Sequence, residues 1–285
     1  ENTGYFRVVQ AASDSEAERL LAAGRVQFAL VFPADFSARL LRGEKPALAV
    51  YADATDPAAT GSAVAALQAL PQVALVHDLK GPLARLQPGA QPFELRVHRR
   101  YNPEGLTAYN VVPGLMGVIL TMTLVMMTAM AMTRERERGT LENLLATPVR
   151  PVEMMVGKIL PYVMVGYVQV LIVFAAARWL FGVPMAGSFV LLSAMVLLFI
   201  VATLTIGFTF STIARSQMQS MQMTLFYFLP NILLSGFMFP FRGMPRWAQW
   251  LGEVLPLTHF LRIVRAIMLK GAGAGDLWPE VAAIA

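Results

Sequence analysis

The chain has 285 residues, 56% of them hydrophobic and only 14% charged, where an ordinary soluble domain carries about 25% charged residues. With a mean hydropathy of +0.56 this argues against a soluble protein and for an integral membrane protein, and the absence of cysteine excludes disulfides, thiolate metal sites and cysteine nucleophiles. The net charge of +5 lies wholly in the second part: residues 1–105 hold 11 Lys/Arg and 11 Asp/Glu, the remainder 12 and 7, so the basic excess sits beside apolar runs, where it favours anionic lipid over nucleic acid as a partner.

Residues 1–105 read as an α/β domain. Phe6–Gln10 and Phe28–Phe32 are apolar, β-prone runs, and Ala47–Tyr51 reads as a third strand. Ser13–Ala23 reads as a helix, with Ser13 and Glu16 in capping-box spacing and Gly24 at its end. A second helix is expected over Asp35–Leu41, and a third from Pro57 to about Leu70, broken at Pro71. No residue set here looks catalytic. Asp53 and Asp56 are read as turn chemistry. His77 and His98 stand apart from other metal-binding side chains.

The membrane part, 106–285, holds four complete candidate spans: Val111–Met132, Ile159–Phe181, Ser188–Ile213 and Met221–Phe241. Another starts at Leu277. At ~1.5 Å per residue the first is about 33 Å long, enough for a bilayer core of ~30 Å. Tyr109, Trp179, Tyr227, Trp247, Trp250 and Trp278 fall near span ends or in flanking segments, as aromatic belts do. The chain opens at Glu1 in polar sequence and stops at Ala285 in an apolar run. It therefore reads as a fragment lacking a span, or part of one, at each end. Six basic residues flank the spans on one side (Arg134, Arg136, Arg138, Arg150, Lys158, Arg215) and six on the other (Arg178, Arg242, Arg246, Arg262, Arg265, Lys270). Charge bias thus leaves the orientation open.

Two segments invite a mechanism. Arg134–Pro148, RERERGTLENLLATP, joins two spans. Thr140 is placed to cap a short helix after Gly139, Leu141, Leu144 and Leu145 share a face, and Pro148 ends it. It reads either as a polar loop or as a lever that docks on a soluble motor, and composition does not choose between them. Pro240–Gly271 is apolar, cut by Pro245 and Pro256, and has no piece long enough to span. Its short helices are expected in the interface or dipping in and returning, as a plug or as a gate. His259 reads as a polar contact rather than a proton relay. The spans hold no Asp, Glu or Lys near their middles, which disfavours a secondary antiporter. No phosphate-binding G-x-x-x-x-G-K-[ST] loop is present, so ATP, if it is the fuel, binds another polypeptide. The 17 methionines read as packing or lipid-facing groups, or as a pliable wall for greasy substrates. Mid-span Gln169 and Asn231 are expected to bond between helices.

Four pieces of sequence carry a resemblance. They are Tyr101-Asn102-Pro103 with Val112-Pro113-Gly114, Glu135–Lys158 (ERERGTLENLLATPVRPVEMMVGK), Ser235–Pro245 (SGFMFPFRGMP) and Leu255–Gly271 (LPLTHFLRIVRAIMLKG). On these the chain resembles the permease subunits of ABC-2 type exporters, in particular bacterial inner-membrane multidrug-efflux permeases with a large extracytoplasmic domain. The resemblance implies the ABC-2 (type V-like) exporter transmembrane fold: a polytopic α-helical membrane protein of six spans with an N-terminal α/β extracytoplasmic domain, the first span absent here and the last cut short. It implies a coupling helix over 139–147 and short extracytoplasmic helices over 243–271. Glu137, Arg138, Gly139, Thr140, Leu141, Glu142, Leu144 and Leu145 become the candidates for ATPase coupling. Pro240, Pro256, His259, Arg262 and Arg265 become candidates for an outer gate. No cofactor is expected on this chain, with ATP and Mg bound by a partner ABC ATPase subunit. A second permease (identical or not), membrane lipid and a periplasmic adaptor complete the expected partners. The resemblance implies a bacterial inner-membrane location and efflux of hydrophobic or amphipathic compounds, with no enzymatic activity. The alternatives are export of a lipid or polysaccharide by the same machine, and a non-transporting membrane anchor or envelope sensor.

Overall fold

The computed structural model describes residues 8–73, 92–139 and 151–285. The chain divides into two compact units, Glu1–Leu106 and Thr107–Ala285.

The first unit carries α1 (Asp14–Ala22), β1 (Phe28–Val31), α2 (Phe36–Arg42), β2 (Ala47–Asp53), α3 (Pro57–Gln68), α4 (Leu70–Val73) and β3 (Glu94–Arg100). Helix α1 starts as its sequence dictates: Ser13 Oγ accepts from the Glu16 N–H at 3.2 Å, and the Glu16 carboxylate accepts from the Ala12 N–H at 2.7 Å. The strands lie in the order β1-β2-β3, antiparallel between β1 and β2 and parallel between β2 and β3. Alternation along β2 buries Leu48, Val50 and Ala52 on one face, and α3 packs on this strand with Val64 and Leu67 buried. Asp53 Oδ1 accepts from the Thr55 N–H and O–H at 3.1 and 2.8 Å, and Asp56 Oδ1 caps α3 through the Ala58 and Ala59 N–H groups. Both are turn and cap groups. His98 stacks on Tyr51, with ring centroids 5.5 Å apart.

Two expectations for this unit change. Val8–Gln10 is not strand, and the rest of the Phe6–Gln10 run lies outside the described residues, as does His77. Strand β3 was not expected. Its sequence, ELRVHRR, has only two apolar residues, and what makes it a strand is pairing with β2 along its whole length, Glu94 opposite Ala47 through Arg100 opposite Asp53.

The second unit is helical: α5 (Thr107–Glu137), α6 (Pro151–Trp179), α7 (Phe189–Ile213), α8 (Gln217–Leu234), a 3₁₀ turn (Phe241–Gly243), α9 (Arg246–Glu253), α10 (Pro256–Arg265), a π turn (Ala266–Lys270) and α11 (Ala274–Ile284). Among the described residues, three helices are long and apolar enough to cross a membrane: α5, α6 from Val156, and α7. Helix α5 is central, packing on α6, α7, α8 and α10.

The fourth expected span, Met221–Phe241, is shorter than its apolar run. Helix α8 stops at Leu234, and the chain turns through Gly236 at φ +83°. At ~1.5 Å per residue its 18 residues reach about 27 Å. Gln217, Gln219, Gln222 and Asn231 also dilute its hydropathy. Asn231 does not bond to another helix in the described residues: its amide donates to the Tyr227 carbonyl one turn earlier, at 3.4 Å. Gln169 does reach a neighbour, accepting from the Thr123 hydroxyl of α5 at 2.8 Å.

Between α8 and α11 the chain folds back into the bundle. Phe260 and Val264 of α10 and Ile267 of the π turn are fully buried, and Phe260 stacks on Phe199 of α7, with centroids 4.0 Å apart and planes 7° from parallel. Such a pair adds about 0.5–1.5 kcal/mol beyond area burial. Helix α9 does the opposite. It buries Ala248 and Gly252 and exposes Trp247, Trp250 and Leu251. Helix α10 itself packs against α5 and α7.

Candidate functional site: two charged clusters of the helical unit

The first cluster closes the C-terminal end of α5. Glu135 pairs with Lys158 of α6. Arg136 Nη1 donates to the carbonyls of Thr212 and Ala214, at 3.2 and 3.5 Å, where α7 ends. Glu137 accepts from the backbone N–H of Gln217 at 2.9 Å and from its side-chain amide, where α8 begins. One turn back, the Thr133 and Ser220 hydroxyls meet at 2.6 Å in a fully buried contact. Helix α8 is also capped from within: Ser216 Oγ accepts from the Gln219 N–H, and Gln219 Oε1 from the Arg215 N–H. Gly139, at φ +68°, ends α5 in a left-handed turn, and Arg138 is exposed. Thr140, Leu141, Glu142, Leu144 and Leu145 lie outside the described residues.

The second cluster joins α9, α10 and α11. His259 is buried, with Nδ1 2.5 Å from Glu280 Oε2 and Nε2 2.8 Å from the Glu253 carbonyl. Arg262 makes a two-pronged pair with Glu253, at 2.6 and 2.9 Å, reaches Glu280 at 3.4 Å, and lies 4.7 Å from the centre of the Phe241 ring. The Glu280 hydrogen bond pushes the His259 pKa above its ordinary value, helped by the Glu253 carbonyl and opposed by burial and by Arg262.

Of the five candidate gate residues, only His259 and Arg262 meet in this cluster. Arg265 donates both Nη atoms to the Gly236 carbonyl at 3.4 Å. Pro256 opens α10 at a position where no N–H is needed, and Pro240 precedes the 3₁₀ turn. Sequence reasoning missed Glu253 and Glu280. Glu280 carried a signal, a carboxylate in the middle of a largely apolar terminal helix, which normally has a partner. Among the described residues, no group of His, Asp or Glu is placed to hold a metal ion.

Apolar helices of membrane-crossing length, with charge gathered in clusters at helix ends and beside the bundle, define an α-helical membrane protein. The chain belongs to the ABC-2 transporter family: residues 1–285 match the family described as "ABC-2 family transporter protein". It is 32% identical to the "Probable multidrug ABC transporter permease YbhR" of Escherichia coli, over 87% of this chain and 66% of that protein. It is 33% identical to the "Inner membrane transport permease YhhJ" of the same organism, over 97% of this chain and 73% of that protein. It is also 27% identical to "ABC transporter G family member 20" of Dictyostelium discoideum, over 60% of this chain and 24% of that protein. The chain thus spans just under two thirds of the first of these relatives. No solved structure matches.

Proposed function

We propose that this chain is part of the permease subunit of an ATP-driven exporter that moves hydrophobic or amphipathic compounds out across a bacterial inner membrane. The observation that carries the reading is the family match along the whole chain, to relatives named as multidrug and inner-membrane permeases. The spans add support, since they hold no Asp, Glu or Lys near their middles to run on an ion gradient. Energy then comes from a separate ABC ATPase subunit that binds ATP and Mg. Two permeases pair, and the 1–105 domain faces the extracytoplasmic side, where an adaptor protein has access to it. The Gly139–Thr147 segment is the lever: Leu141, Leu144 and Leu145 fill a groove on the ATPase, while Arg138 and Glu142 orient the contact and Glu137, bonded to Gln217 of α8, holds the helix end from which the segment leaves. The second cluster lies toward the exit. Nucleotide closure tilts the spans as rigid bodies.

The test uses the full-length permease with its ATPase in inverted membrane vesicles, with ethidium as transport probe and a compound panel for ATPase stimulation. ATP-dependent ethidium uptake and compound-stimulated hydrolysis are expected. Glu142→Lys should abolish the stimulation with membrane insertion unchanged. Normal coupling after replacing Leu141, Leu144 and Leu145 by serine would refute the lever.

A further inference from the structure

We propose that Glu135, Arg136 and Glu137 form a collar through which α5 drags the adjoining ends of α6, α7 and α8. The inference rests on the ATP-driven reading above and assigns the three as positioning residues within it.

The argument begins with helix geometry. Consecutive residues of an α-helix fan out by about 100° each, so three in a row point to three different neighbours. Here each finds one. Glu135 takes Lys158 of α6, Arg136 the last carbonyls of α7, and Glu137 the first N–H of α8.

The signs match the helix ends. The C-terminus of α7 presents unpaired carbonyls with partial negative charge and receives a guanidinium. The N-terminus of α8 presents unpaired N–H groups with partial positive charge and receives a carboxylate. None of these bonds lies within one helix: the partners are 23, 76, 78 and 80 residues apart. Ordinary solvated charges on a helix end pair locally at i, i+4. Elsewhere, apart from the Thr123–Gln169 bond to α6, it is mainly apolar side chains that hold α5 to its neighbours, and apolar contact is non-directional and tolerates sliding. Directional charged bonds at one end fix the register there. The buried Thr133–Ser220 bond extends the fixed region by one turn. The chain leaves α5 at Gly139, two residues past Glu137, so a push on the segment that follows reaches the collar first.

The experiment places single spin labels, one at a time, on exposed positions of a full-length permease in which any other cysteine is replaced by serine: Arg134→Cys on α5, Val156→Cys on α6 and Met218→Cys on α8. Distances to a fixed label on the second permease are measured by pulsed EPR. The sample is the full-length permease with its ATPase in nanodiscs, before and after trapping with ATP and vanadate. With the collar intact, all three labels shift together. In Glu137→Ala the Met218→Cys label loses its shift while the Val156→Cys label keeps it, and Glu135→Ala gives the reverse. General misfolding would not produce that crossed pattern. If the alanine variants do not assemble, the swap Glu135→Lys with Lys158→Glu should restore the shift that Glu135→Lys alone removes. Shifts in both alanine variants equal to those of the intact protein would overturn the collar and leave ATP-driven motion standing. No shift of any label in the intact complex would overturn the ATP-driven reading and the collar with it.

Discussion

Both ring nitrogens of His259 face acceptors, a carboxylate on one side and a backbone carbonyl on the other. The doubly protonated ring satisfies both, whereas the neutral ring leaves one nitrogen acceptor-to-acceptor. The charged groups around it are Glu280 on α11, Glu253 on α9 and Arg262 on its own helix. Because the folded pKa lies above the ordinary value of about 6.5, the stabilisation is fully present below about pH 6.5 and is lost as pH rises through the raised folded value. Thermal melts of the purified permease should show stability declining as the pH is raised from about 6.5. His259→Gln should flatten that decline, and an unchanged slope in the variant would count against the cationic ring. At this scale the sequence marked His259 and Arg262 but not their carboxylates. Glu253 and Glu280 are 27 residues apart in the chain, and only the packing of α9 and α11 on α10 brings them to one ring.

Among the elements, close approach decides where glycine is required. A Cβ on Gly187 would stand 2.6 Å from the Ile267 carbonyl oxygen, a backbone atom that cannot rotate away. On Gly117 it would meet Leu257 and Phe260 of α10 at 2.7 and 2.8 Å. Alanine at either position is expected to cost about 1–3 kcal/mol through overpacking, read as a lower melting temperature. Gly61, inside α3, has nothing within 4 Å, so Gly61→Ala should instead stabilise by roughly 0.5–1 kcal/mol. The same contrast separates legible from hidden elements. Helix α1 was legible because its cap and stop are local. Strand β3 and the end of α8 were not: one depends on a pairing partner over forty residues away, and the other on a turn that overrides an apolar run.

For the whole molecule, sidedness is the decisive test of the proposed export. The chain has no cysteine, so Ser15→Cys in the first unit and Arg138→Cys past α5 can each be labelled alone. An impermeant maleimide added to intact cells should modify Ser15→Cys and reach Arg138→Cys only after permeabilisation. Labelling of Arg138→Cys from outside would reverse the topology and place the lever away from ATP.

Composition and the spacing of apolar runs determined by themselves that this chain is built around membrane-length helices, because burying a hydrogen-bonded backbone in lipid leaves few other solutions. The local codes of caps, glycine stops and prolines likewise set most helix starts. The tertiary structure alone decided which charges meet. Glu135, Arg136 and Glu137 look like one polar run in the sequence. They become three separate bonds to three helices because α5 sits at the centre of the bundle and its turn fans them apart.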